Sequence, residues 1–159
     1  MNLKSEIKKS MVKWWIIYPE DSERVSFEDE LIPENAIGFV YKMKFTRENK
    51  EYFYIGKKNF YSNQKKKFGK KALTKVIDKR KKKYTMMKKL SYKNYFSSNK
   101  DIKQAYKDGI YIDRLILKIC FSKAELTYQE TKFQFLHSVL EKDEYLNGNI
   151  LGRFYKGKV

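Results

Sequence analysis

Gly38-Phe39-Val40-Tyr41-Lys42-Met43-Lys44-Phe45 leads into the polar stretch Thr46-Arg47-Glu48-Asn49, and Tyr52-Phe53-Tyr54-Ile55-Gly56 follows. The first run alternates toward its end, and the second is rich in β-formers. Two such runs around a short polar segment predict an antiparallel hairpin. With the turn centred between Arg47 and Glu48, Tyr41 opposes Tyr54. Directly opposed residues share a face of the sheet. Two phenols then become neighbours, with Gly56 directly after the second.

Working outward, the spacing of Ile102, Ala105 and Tyr106 predicts a helix over about 100–108, capped by Ser98 or Asn99 and ended by Gly109. A third strand is expected at about 111–119. Ser122 and Glu125 form a capping box at the start of a long helix, expected from Lys123 to about Glu141. Leu126, Phe133 and Leu140 recur on one face of it, together with Glu130 and His137. A carboxylate on a core-facing stripe is costly unless it is paired or holds a cation. Trp14-Trp15-Ile16-Ile17-Tyr18 reads as a short β-type run, and the acid-rich residues 20–35 read as irregular. The fold class is therefore α/β (α+β): a small three-stranded antiparallel sheet flanked by helices. Residues 1–35 form an N-terminal extension, and 36–159 a domain with a basic insertion at about 59–95.

The charge is concentrated. The chain has 159 residues and a net charge of +17. Residues 57–89 carry fifteen Lys or Arg against one acid, Asp78, so +14 sits there and +3 on all the rest. A local basic excess of this kind is the footprint of a nucleic-acid binder, because each neutralised phosphate releases condensed counterions. The segment 62–90 has few apolar residues and reads as a loop, extended arm or solvated helix. One cysteine and one histidine exclude disulfide scaffolds, cysteine-based zinc sites and any two-histidine mechanism. No apolar run reaches the ~18 residues of a membrane span, and the N-terminus has no export-signal pattern. The expectation is a cytoplasmic protein without membrane contact, monomeric, with Cys120 a reduced core residue.

Gly38-Phe39-Val40-Tyr41 followed by Tyr54-Ile55-Gly56 resembles the paired motif of the GIY-YIG nucleases. The order hairpin, basic segment, helix, strand, helix with a glutamate, and Asn-containing turn is the family's order over residues 36–152. The strings Tyr54-Ile55-Gly56-Lys57-Lys58, Asn94-Tyr95-Phe96-Ser97-Ser98 and Tyr145-Leu146-Asn147-Gly148-Asn149-Ile150 are most similar to phage-encoded, free-standing members of homing type.

The resemblance implies a metal-dependent DNA endonuclease, nicking or cutting both strands, that uses one divalent ion, Mg²⁺ or Mn²⁺. Glu130 matches the metal-binding glutamate. Tyr41 matches the expected general base, and Tyr54 positions water or phosphate. Asn147 or Asn149 matches a supporting asparagine. Two positions depart from the pattern. Phe39 stands at the first motif's glycine position, with Gly38 one residue early. The family's arginine has no match: Gln64 is at its spacing and Lys65 is next to it, which leaves Lys65, Lys57 and Lys58 to take its work. DNA contacts are expected from Lys57, Lys58, Lys65, Lys66, Lys67, Lys70, Lys71 and Arg80. The alternative is a non-catalytic nucleic-acid-binding protein on the same scaffold.

Overall fold

The hairpin forms, with strands longer than the apolar runs alone mark out: β3 is Gly38–Arg47 and β4 is Lys50–Asn59. The computed structural model describes residues 12–159 apart from 76, 79, 81 and 82. Glu48 (φ 51°) and Asn49 (φ 62°) make a two-residue turn in the left-handed region. A two-residue turn of that hand matches the twist of the strands it joins. The register is consequently two residues from the expected one: Tyr41 opposes Gly56, and Met43 opposes Tyr54. A slip of two preserves the facing of every side chain. Tyr41 and Tyr54 therefore remain on one face as diagonal neighbours, their ring centroids 6.2 Å apart.

The sheet has five strands in the order β2-β1-β7-β3-β4, not three. β7 (Asp113–Cys120) lies antiparallel to β3. β1 (Trp14–Ile17) runs parallel to β7, and β2 (Arg24–Phe27) antiparallel to β1. β1 is held by Trp14 and Ile16, which alternate into the core. β2 lies within the stretch expected to be irregular. Of its four residues only Phe27 is buried, and Arg24 ties it to β7 through paired 3.0 Å bonds to Asp113.

Each face of the hairpin has its own core. Phe39, Tyr41, Met43 and Phe45 pack with Trp14, Phe60, Tyr92 and the buried Ile102 and Ala105 of helix Lys100–Lys107. Val40 and Ile55 pack on the other face with Leu126, Val139, Leu140 and Ile150. Cys120 joins this second core, and burial pushes its thiol up to about 11. The Asn99 side chain caps helix Lys100–Lys107 by accepting from Asp101 and Ile102 N–H.

The Ser122 side chain caps helix Lys123–Leu136, and the Glu125 carboxylate accepts from Phe121 N–H at 2.8 Å. This helix stops five residues earlier than expected. Ser138 takes φ 51°. Its N–H bonds Phe135 O and that of Val139 bonds Gln134 O, a closing pair that usually places glycine at the left-handed position. His137 therefore caps the helix and bonds the Tyr145 hydroxyl through Nδ1 at 3.1 Å.

The basic segment is a two-stranded antiparallel ribbon of β5 (Tyr61–Lys67) and β6 (Lys83–Leu90), with one helical turn, Lys70–Leu73, between them. Neither a loop nor a solvated helix describes it. Short strands Asn149–Ile150 (β8) and Phe154–Tyr155 (β9) close the chain. Among the described residues no helix is long and apolar enough to cross a membrane.

Candidate active site

β4 ends the sheet, so its outer backbone needs other partners. The segment after Lys142 supplies the first of them: Phe53 N–H donates to Glu144 O and Leu146 N–H donates to Phe53 O, both at 2.8 Å. Asn147 comes next. Its Oδ1 accepts from Ile55 N–H at 3.1 Å and its Nδ2 donates to Ile55 O at 2.8 Å. Gln134 Nε2 also donates to Ile55 O, at 3.2 Å. Asn147 is buried and braces the second motif. Asn149 caps a turn instead, its Oδ1 accepting from Gly152 N–H at 2.9 Å.

One step further along β4 stands Lys57, whose backbone and side chain both act to lower the pKa of the Glu130 carboxylate. The Lys57 ammonium lies 3.5 Å from Glu130 Oε1 and donates to Thr127 Oγ1 at 2.9 Å. The Glu130 side chain is only 17% exposed. Burial raises its pKa, and the charge and hydrogen bonds of Lys57 offset part of that rise. Among the described residues no group of three or more His, Cys, Asp or Glu gathers to hold a metal. Glu130 alone is a fit donor for Mg²⁺, which keeps most of its waters and takes one or two carboxylates plus substrate phosphate. Its present counter-ion, Lys57, marks the position as one that favours a cation.

Tyr54 lies close enough to Glu130 for that carboxylate to add to the rise in its pKa. Burial is the main cause of the rise, and the Ser98 and Ser97 hydroxyls pull the other way. Tyr41 stands behind it, 1% exposed, and its single hydroxyl proton is within reach of both the Tyr95 and the Ser97 hydroxyl oxygens, each at 3.4 Å. Burial, then the neighbouring Tyr95, hold its pKa well above 10. Gly56 makes the arrangement possible. A Cβ there would sit 2.6 Å from the Tyr41 hydroxyl and 2.8 Å from the Tyr54 ring, closer than side chains approach.

The loop Ser91–Asn99 was missing from the expected site residues. It brings Tyr95, Ser97 and Ser98 to the tyrosines, and Lys58 Nζ lies 4.7 Å from the centroid of the Tyr95 ring. Burial lowers the pKa of Lys58. Arg114 of β7 fixes this loop from beneath. Wholly buried, its Nη1 donates to Lys93 O at 2.7 Å and Tyr95 O at 2.9 Å. Its guanidinium faces the rings of Trp14 and Phe96, at 4.6 and 4.2 Å. The string Asn94–Ser98 was the available signal in the sequence, but it carries no residue type that announces a role.

The remaining expected residues lie on the ribbon. Lys65 and Lys67 of β5, Lys70 and Lys71 of the helical turn, and Arg80 are exposed. Arg80 Nε lies 3.7 Å from Asp78. The side chain of Lys66 lies outside the described residues. Among the described residues no hydrogen bond or ion pair joins Lys65 to Tyr41, Tyr54 or Glu130, whereas Lys57 pairs with Glu130 and Lys58 lies over the Tyr95 ring.

A family model described as "Putative endonuclease segE, GIY-YIG domain" matches residues 21–150. No curated protein and no solved structure matches the chain.

Proposed function

The chain belongs to the segE-type GIY-YIG endonuclease family, and from that premise we propose that it hydrolyses DNA phosphodiesters with one divalent ion held by Glu130. The observation that carries this reading is the partly buried Glu130 carboxylate, set at the outer edge of β4 beside Lys57 and Tyr54. When bound, the ion supplies Lewis-acid polarisation of the scissile phosphate and stabilises the leaving 3′-oxygen. Glu130, together with substrate phosphate, would hold it, and Lys57 beside Glu130 would then face the phosphate. Lys58 takes the charge-stabilising work of the absent arginine, as a point charge and not a bidentate fork. Tyr54 orients the attacking water. Tyr41, as phenolate, accepts that water's proton while the new P–O bond forms and the bond to the 3′-oxygen breaks. Asn147 keeps β4 in register with these groups. On this reading the protein works in the cytoplasm, where DNA is within reach.

Supercoiled plasmid incubated with Mg²⁺ tests the proposal. Open-circle or linear product is expected with the ion, and none with chelator. Tight binding without cleavage under either condition would leave the non-catalytic alternative standing.

On this reading the ribbon is the DNA grip. If about six of its lysines contact phosphates, log K against log salt has a slope near −5, from roughly −0.9 per contact. Replacing Lys65, Lys66 and Lys67 together with Ala is expected to flatten that slope by up to about 3 and to weaken all sequences alike, because phosphate contacts do not read bases. A salt titration by fluorescence anisotropy measures both. An unchanged slope would turn the ribbon away from DNA.

A further inference from the structure

Ser97 takes φ 64°, a left-handed backbone that glycine adopts freely and serine adopts at a cost. Strain of this kind persists where the surroundings over-determine it, and it clusters at functional sites. The surroundings here are specific. Arg114 pins the carbonyls of Lys93 and Tyr95 just upstream, and the Asn99 cap follows just downstream. Ser97 is buried. Its Oγ accepts from Asn99 N–H at 3.1 Å and from the Tyr41 hydroxyl at 3.4 Å. A glycine would satisfy the backbone but would leave the Tyr41 oxygen without that partner.

We propose that Ser97 is a positioning residue that makes Tyr41 able to accept a proton, its hydroxyl reversing to donate to the Tyr41 oxygen once that oxygen is ionised. A hydroxyl both donates and accepts. With Asn99 N–H occupying one lone pair of Ser97 Oγ, the serine proton is free to turn toward Tyr41. The proton that Tyr41 gives up passes to the Tyr95 hydroxyl, 3.4 Å away, as Tyr95 releases its own to solvent. Burial opposes a Tyr41 phenolate, so a directed donor at this place has a large effect. The inference rests on the nuclease reading above and deepens it.

Ser97→Gly and Ser97→Ala test it together. Both remove the hydroxyl, but glycine relieves the backbone and alanine does not. Ser97→Gly is expected to melt at or above the wild-type temperature, and Ser97→Ala below it. Both are expected to lose about 10–100-fold in kcat at saturating DNA, the worth of one hydrogen bond to a charged group. KM should be unchanged, and the rising limb of kcat against pH should move to higher pH. Wild-type kcat in Ser97→Gly, or an unmoved limb in both variants, overturns the proposal. The NMR resonance of Tyr41 Cζ in the free protein supplies a readout independent of cleavage. It should shift in Ser97→Gly, and no shift overturns the contact itself. Wild-type protein that cleaves no DNA overturns the nuclease reading instead.

Discussion

Glu130→Ala is expected to abolish cleavage and leave DNA affinity almost unchanged. If this carboxylate holds the ion as proposed, several kcal/mol of transition-state stabilisation depend on it, which corresponds to a loss of about 10³-fold or more in rate. Affinity comes from elsewhere, since residues 57–89 carry +14. Lys57, freed from its 3.5 Å pairing with Glu130, adds to phosphate attraction in the variant. The fold should tolerate the change, because burial already disfavours the ionised carboxyl and its removal takes a costly group out of a partly dry place. Single-turnover cleavage and equilibrium binding on the same duplex separate the two effects. More than a few per cent of wild-type rate in Mg²⁺ would remove Glu130 from the mechanism. In the wild type the same burial makes the carboxyl protonate at a higher pH than an ordinary glutamate, so Mg²⁺ affinity should weaken on acidification before the usual carboxylate range is reached.

Tyr41→Phe should lower kcat by about 10²–10⁴-fold, the usual contribution of a positioned proton acceptor. Its stability should hardly change. The ring keeps its edge contacts with Trp14, Phe39 and Tyr95, and the lost hydrogen bonds are long ones. Tyr54→Phe serves as the comparison. Tyr54 is the less buried phenol and the one nearer Glu130, so it should report on water placement with a smaller loss. Equal, small losses in the two variants would make both hydroxyls structural and require another base.

The hairpin was legible because strand formers flank a polar turn. Its register was not, because a glutamate at φ 51° carries no mark in the sequence, whereas Asn-Gly would have. The even slip left the facing of the tyrosines intact. β2 was hidden because one buried Phe27 among acids shows no period. The ribbon was hidden because lysines on both faces leave no apolar alternation to read. The end of helix Lys123–Leu136 was hidden because serine, not glycine, makes its left-handed stop. At the site, Tyr41, Tyr54 and Glu130 stood out through the motif order, and Asn147 and Asn149 were equal alternatives for the asparagine. Tyr95 and Ser97 reach Tyr41 from more than fifty residues away in sequence, through a loop shaped by Arg114. Hydroxyls gathered by that route carry no periodic or spacing signal.

The covering of β4 also limits how two copies can assemble. A sheet that ends in a bare strand invites another chain to add to it. Here Glu144, Leu146 and Asn147 occupy that strand's outer groups up to Ile55, and Lys57 just beyond lies against the Glu130 side chain. A second molecule therefore has no continuous row of groups on this side with which to extend the sheet. The opposite end, β2, offers only four residues. Sheet-to-sheet dimerisation is disfavoured at both ends, so cutting two strands calls either for sequential visits by one molecule or for pairing through helices or the ribbon. On that basis nicked circles should accumulate ahead of linear product at low protein concentration, in a time course read on a gel.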